Sequence, residues 1–255
     1  MNNHAELEIA GESNIGTIRH HNEDNFLILA PPDGDAVLAV VADGIGGHSR
    51  GEVASFICCR ELFLAAKQLN SSRWDEKFLA DTLQHANSRI FNFNFQGRRP
   101  KPMGCTVAAA LFRRDKVIVA SAGDSRMYEF YRSPGKKPLR QITVDHRPQG
   151  YEKLKHETML LYTNLVSRSL GTAKYLQLDI HELPRNPGAK YLLCSDGLYN
   201  HQPDQVLAGA LGSEMNPRKI VSSLLRGALL SGERDNITVI CAADAKKENT
   251  DHGTA

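Results

Sequence analysis

Short apolar runs alternate with polar punctuation along the chain, and the spacing of the apolar positions predicts most of its elements. "LEIAGES" alternates apolar and polar residues, as a half-buried strand does, while "NFLILA" and "AVLAVVA" are continuous apolar runs of strand length. Two helices are predicted next. The first, about 50–69, is apolar on most sides (Val53, Phe56, Ile57, Leu62, Phe63, Leu64), which predicts burial on more than one face. The second, about 74–94, carries Leu79, Leu83, Ala86, Ile90 and Phe93 as one stripe suited to core packing.

A basic turn, "GRRPKPMG", leads back to strands: "CTVAAALF" and "KVIVASA", joined by the hairpin-like "RRD", and then "RMYEFY". After "PLRQITVDH", the charged segment "YEKLKHETMLLYTNLVSRSLG" reads as helical at first. "YLQLDIHEL" and "AKYLLCS" read as strands. Two helices follow, the second with Asn216 as its N-cap and Pro217 at its first position. "NITVICAA" is the last strand. With no repeat and no low-complexity linker, the pattern predicts one domain over 1–243 and a polar, disordered tail over 244–255. Hairpins and helices are grouped, not strictly alternating. That predicts an α+β fold: two antiparallel β-sheets packed as a central β-sandwich flanked by helices, a four-layer α-β-β-α arrangement.

Composition narrows the classes. The 255 residues hold 31 lysines and arginines against 29 acids, a formal net charge of +2, without the basic excess of a nucleic-acid binder. "MNNHAELEIAGE" lacks the basic and apolar regions of a signal peptide, and no run of about 18 apolar residues could span a membrane. The five cysteines are an odd number with no C-x-x-C spacing, and Cys105, Cys194 and Cys241 lie in apolar runs. The expectation is a cytoplasmic protein with reduced thiols, without membrane or nucleic-acid partners, and monomeric.

The chemistry sits where strands end. Asp43 follows "AVLAVVA", Asp124 follows "VIVASAG", Asp196 follows "YLLCS", Asp235 precedes "NITVICA", and Asp24 precedes "NFLILA". Each acid alone is an ordinary turn former. Together they would gather like charges at one rim of a sheet. Hard divalent cations are the usual remedy, because magnesium and manganese take oxygen ligands. A glycine beside a ligand acid, as in "VVADGIGGHSRGEVAS", would let a ligand approach the backbone closely.

"RHHNEDN", "VVADGIGGHSRGEVAS", "GCTVAAAL", "ASAGDSRMY", "TVDH", "SRSLG", "LLCSDGL" and "ERDNITVI" occur in the order of the motifs of the metal-dependent type 2C serine/threonine protein phosphatases. The chain resembles the bacterial branch of that family from about residue 8 to 243. The resemblance implies a β-sandwich flanked by helices and two manganese or magnesium ions in the core site. Asp43 would bridge them, with the Gly44 carbonyl assisting at one. Asp196 and Asp235 would complete the other. Asp24, with Glu23, would hold metal-bound waters at the first site, and Asp124 would contribute to a third, weaker ion. Arg19 matches the arginine that binds the substrate phosphate, a bidentate task suited to a planar guanidinium. Asn236 would orient the loop of Asp235. The implied reaction is hydrolysis of phosphoserine and phosphothreonine in proteins by a metal-activated bridging water. The implied partners are a phosphorylated protein substrate and a cognate bacterial serine/threonine kinase.

The chain also departs from the pattern. Ile45 stands where some relatives carry a histidine directly after the Asp-Gly pair. His48 has the acid–base chemistry for protonating a leaving group, or else orders the loop or caps the following helix. His146 in "TVDH" is expected to be structural, at the base of the flap. The flap itself, about 146–166, looks shortened and lacks the usual internal glycine, which bears on substrate choice and on the third ion. The basic loops "GRRPKPMG" and "GKKPLR" read as solvated surface, with docking of an acidic phosphopeptide as the functional reading. Two other classes fit the sequence less well. A pseudophosphatase scaffold would have lost a metal acid, yet Asp43, Asp196 and Asp235 are all present. A two-metal nuclease would show a basic groove, which the near-neutral composition does not favour.

Overall fold

A computed structural model describes residues 7–45, 50–96, 102–147 and 166–244. Ten strands form two antiparallel sheets. Strand β1 (Leu7–Asn14), β12 (Ile237–Asp244), β11 (Lys190–Cys194), β8 (Arg126–Phe130) and β9 (Leu139–Gln141) make the first, in that order. The second runs β10 (Asp179–Pro184), β7 (Lys116–Ala122), β6 (Val107–Arg113), β3 (Ala36–Ala42) and β2 (Asn25–Leu29). A two-stranded ribbon, β4 (Gly44–Ile45) with β5 (Gly104–Cys105), extends β3 beyond the sheet.

The continuous apolar strands follow from burial on both faces. Along β3, Ala39 and Val41 point between the sheets, where they meet Phe112, Val119, Met127, Tyr191, Leu193 and Ile240. Leu38, Val40 and Ala42 point the other way, under α1 (Gly51–Lys67) and α2 (Glu76–Gln96), with Leu62, Leu79, Leu83 and Ile90. The first sheet is covered by α3 (Asp196–Tyr199), α4 (Asp204–Gly212) and α5 (Pro217–Leu230), through Leu198, Leu207, Ile220 and Leu224. The result is the α+β sandwich of four layers that the patterning predicts. Asn216 caps α5 as expected, its Oδ1 accepting from the Lys219 N–H at 3.0 Å, with Pro217 at the first turn.

Four expectations are corrected. Helix α1 is covered on its sheet side, but Phe56 is 54% exposed, and Phe63 and Leu64 are exposed too. An outer-layer helix has sheet on one side only, so apolar residues all round cannot all be covered. On α2, Phe93 is exposed and Asn94 takes the buried position one residue on. There Asn94 donates to the carbonyls of Met103 (2.7 Å) and Gly171 (3.0 Å), a task no phenylalanine could perform. The strand predicted from Tyr175 begins only at Asp179, and an additional short helix, α3, starts on Asp196 itself. The flap, from 148 to 165, and the tail beyond Asp244 lie outside the described residues.

Candidate active site

All five aspartates predicted at strand ends meet at one rim of the sandwich. Antiparallel register dictates it: Asn25 pairs with Ala42 and Val107 with Ala122, so the start of β2 and the ends of β3 and β7 share one edge. In the facing sheet, Cys194 pairs with both Arg126 and Val239, which places Asp124, Asp196 and Asp235 at the matching edge. Between the two edges lies a cleft of about 300 Å³, lined by Asp43, Asp124, Asp196 and Asp235 together with Arg19 and Glu23. Gly44, Ile45, Val166 and Asn236 complete its wall.

Asp43 is fixed through its backbone. Its N–H donates to Thr106 Oγ1 (3.1 Å), its carbonyl accepts from the Thr106 N–H (2.8 Å), and Thr106 Oγ1 lies 2.6 Å from Ser125 Oγ. The glycine after it has a steric cause beyond ligand approach. A Cβ on Gly44 would stand 2.4 Å from the Gly51 carbonyl carbon and 2.5 Å from the Glu23 carbonyl oxygen. Only glycine lets the ribbon, the β1–β2 loop and the start of α1 meet this closely. Gly16 does the same for the loop that carries Arg19: it has φ +78°, and a Cβ there would overlap the Asp235 carbonyl.

Asp24 lies behind the cleft, buried. Its Oδ2 accepts from Ser195 Oγ at 2.7 Å, while its Oδ1 is buried with no hydrogen-bond partner among the described residues. Asn236 acts as a staple. Its Oδ1 accepts from the Glu23 N–H (2.8 Å), and its Nδ2 donates to the carbonyls of Ile15 (2.9 Å) and His21 (3.1 Å). It thus fixes the β1–β2 loop against the segment that carries Asp235, whose Oδ1 accepts from the Asn236 N–H.

The electrostatics are those of too many acids in too little water. Burial, then Asp24, Asp196, Asp124 and Asp235 in turn, hold the Asp43 carboxyl well above the usual range. Burial followed by Asp124, Asp235 and Asp24 pushes Asp196 up to about 8. Burial raises Asp24 to about 6, against the hydrogen bond from Ser195. Glu23 is raised by burial and by Glu52, and Asp124 by burial, the latter opposed by Arg147. Two arginines answer part of this charge. Arg19 Nη2 donates to Asp235 Oδ2 at 2.7 Å, and Arg147 Nη2 stands 3.3 Å from Asp124 Oδ2.

Two residues of the site are not legible in the sequence. Arg147 directly follows "TVDH", yet nothing there says that it turns back onto Asp124. Tyr199 donates its hydroxyl to the Asp124 carbonyl at 2.9 Å, a contact between distant segments. His146 sits at the base of the flap. Its Nδ1 accepts from the Gly123 N–H (3.0 Å), which leaves the proton on Nε2 facing Asp179 Oδ2 at 2.9 Å. It braces the chain between β7 and β10 and does not line the cleft. His48 lies outside the described residues, as does most of "GRRPKPMG". The lysines of "GKKPLR" are exposed on the β8–β9 turn, at the far rim from the acids.

The model of the family described as protein phosphatase 2C matches residues 11–218. This chain belongs to the protein phosphatase 2C family. It is 33% identical over 242 residues to the serine/threonine phosphatase Stp of Listeria monocytogenes serotype 4b, covering 88% of this chain and 91% of the relative. The crystal structure of a bacterial serine phosphatase superposes with a TM-score of 0.83 at 28% identity, covering 95% of this chain and all of that one. Stp1 of Staphylococcus aureus follows at a TM-score of 0.80 and 28% identity, covering 95% and 97% of the two chains. Membership makes the protein a protein phosphatase, hence a hydrolase, and accounts for the order of its motifs. No described helix of this phosphatase is long and apolar enough to cross a membrane.

Proposed function

We propose that this chain removes phosphate from phosphoserine and phosphothreonine in proteins with the aid of two divalent cations, manganese or magnesium, held in the acidic cleft. The observation that carries this reading is the convergence of Asp24, Asp43, Asp196 and Asp235 from four distant segments, with Asp24 Oδ1 buried and without a hydrogen-bond partner among the described residues. Buried carboxylates are normally paired, so a rim where acids chiefly meet acids fits hard cations with oxygen ligands. Among the described residues, no group of three or more such side chains is already closed around one point, and Asp235 is held by Arg19. The donor chemistry fits the ions, and the side chains must turn inward to bind them.

In this reading Asp43, the Gly44 carbonyl, Asp196 and Asp235 would hold the ions, and Asp24 and Glu23 would order water beside them. When bound, the cations supply a water acidic enough to be deprotonated near neutral pH and neutralise charge on the phosphoryl group. The protein's own groups do the rest. Arg19, 39% exposed at the cleft mouth, presents a planar fork to two phosphoryl oxygens once Asp235 turns away from it. Thr106 and Ser125 keep the Asp43 backbone fixed, and Asn236 keeps the Arg19 loop against the rim.

A second depression, of about 570 Å³, shares Arg19 and Glu23 with the cleft and adds Ile18, His20, His21 and Arg50. It gives a substrate chain room to run past the phosphorylated residue. A single catalytic domain over 1–243 acting on phosphoproteins of a bacterial kinase pathway, as a cytoplasmic monomer, completes the reading. Five free, buried cysteines support the reducing compartment.

The test is phosphate release from a phosphothreonine peptide and from p-nitrophenyl phosphate in EDTA, magnesium or manganese. Turnover should appear only with metal. Folded protein that binds the peptide but releases nothing in either metal would establish the scaffold reading instead.

A further inference from the structure

The five acids of the rim are not treated alike. Asp24, Asp43 and Asp196 have no arginine or lysine in ion-pair contact among the described residues, whereas Asp124 has its own. Arg147 Nη2 lies 3.3 Å from Asp124 Oδ2, and both side chains are nearly buried, at 14% and 9% exposure. The guanidinium is fixed from several sides. It donates to the Tyr199 hydroxyl at 2.8 Å, and that hydroxyl donates on to the Asp124 carbonyl at 2.9 Å. Its carbon also sits 5.8 Å from the Tyr199 ring centre. Asp145 could compete for Arg147, but it stands 3.7 Å from Arg147 Nε and is gripped more closely by Arg126, at 2.9 Å and 2.7 Å. Arg147 thus faces Asp124 at ion-pair distance, and its charge also reaches Asp196.

We infer that Arg147 is a built-in counter-cation of the cleft, which holds Asp124 as an internal ion pair and limits this chain to two bound divalent ions. The inference rests on the metal reading proposed above and goes beyond it. Burial supports it: of the rim acids, Asp124 is the one whose carboxylate already faces a nearly buried guanidinium, whereas the Arg19 that meets Asp235 is 39% exposed. A further ion at Asp124 would have to displace a nearly buried guanidinium and strand its charge, which is costly in a low-dielectric site. Arg147 thus stands where the resemblance leads one to expect the third, weaker ion. It is a positioning residue, acting through Asp124 and Tyr199.

The experiment counts ions. Equilibrium dialysis of the full chain against manganese, with atomic absorption, should give two ions per chain for the wild type and two for Asp124→Asn. Arg147→Ala should bind a third, weaker ion, and Asp124→Asn added to it should abolish that gain. Arg147→Lys, which keeps the charge, should stay at two and decides the case if the alanine variant does not fold. Three ions on the wild type, a drop in the Asp124→Asn count, or a third ion on Arg147→Lys would overturn the inference. So would an unchanged count in a folded Arg147→Ala variant. Fewer than two ions on the wild type would overturn the metal reading itself.

Discussion

The two rims of the sandwich bury acids in opposite ways. At the far rim, Asp244 ends β12 and accepts from Arg185 Nε at 2.7 Å, and Arg185 also donates to the Arg113 carbonyl at 3.0 Å. That arginine follows β10, so the pair ties the two sheets together. Nearby, the buried Glu129 accepts from Arg140 Nη2 at 2.8 Å. At the cleft rim, Asp43 and Asp196 meet chiefly other acids, and their protons are held far more tightly than a free carboxyl would hold them. The far rim spends its charges on structure. The cleft rim leaves Asp24, Asp43 and Asp196 without a basic partner in ion-pair contact among the described residues, as the proposed cation site requires.

The comparison can be broken most severely at Asp43. If Asp43 holds the cations as proposed, Asp43→Asn should lower turnover by about a thousand-fold or more, since several kcal/mol of charge stabilisation at the phosphoryl group depend on them. In EDTA the same variant should melt above the wild type, because the metal-free fold must keep this acid protonated or bear its repulsion, whereas the amide carries neither cost. A variant that retains turnover, or that melts lower in EDTA, would mean that Asp43 is a structural acid like those of the far rim.

Asp244→Asn should do the reverse. Leaving Arg185 beside a neutral partner should lower stability by about 3 kcal/mol, the usual scale for breaking a buried pair. Turnover at saturating manganese should stay unchanged. Urea unfolding and the phosphopeptide assay together read both quantities, and loss of turnover without loss of stability would contradict the division between the rims.

A smaller effect concerns pH. In the metal-free fold Asp196 is raised to about 8 and Asp24 to about 6, whereas unfolded carboxyls titrate near 4. Between those limits the native state holds more protons than the unfolded one, so stability must fall as pH rises. Melting in EDTA should therefore be higher at about pH 5 than at about pH 7.5, within the window those shifts set. Manganese should flatten that trend. A trend of the opposite sign would show that the acids are already compensated without metal.

Much of this was legible in the sequence because it is local. Strand and helix periodicity, the Asn216–Pro217 cap and the placing of aspartates at strand ends need only neighbouring residues to be recognised. The order of the motifs pointed to the family, and the family model and relatives agree. What a single helix buries was less legible: Phe93 and Asn94 both fit the α2 stripe, and only the carbonyls of Met103 and Gly171 choose between them.

The sequence by itself determined that acids end strands, that a glycine follows Asp43, and that the strands are apolar enough to be buried on both faces. Only the tertiary structure decided which charges meet. Arg19 reaches Asp235 across 216 positions and Arg147 turns back onto Asp124, while Asp244 finds Arg185 at the other end of the same strand that Asp235 begins. Coulomb forces depend on distance in space and on burial, and neither is written in the spacing along the chain. The same residue type is therefore a structural partner at one rim and a candidate metal ligand at the other.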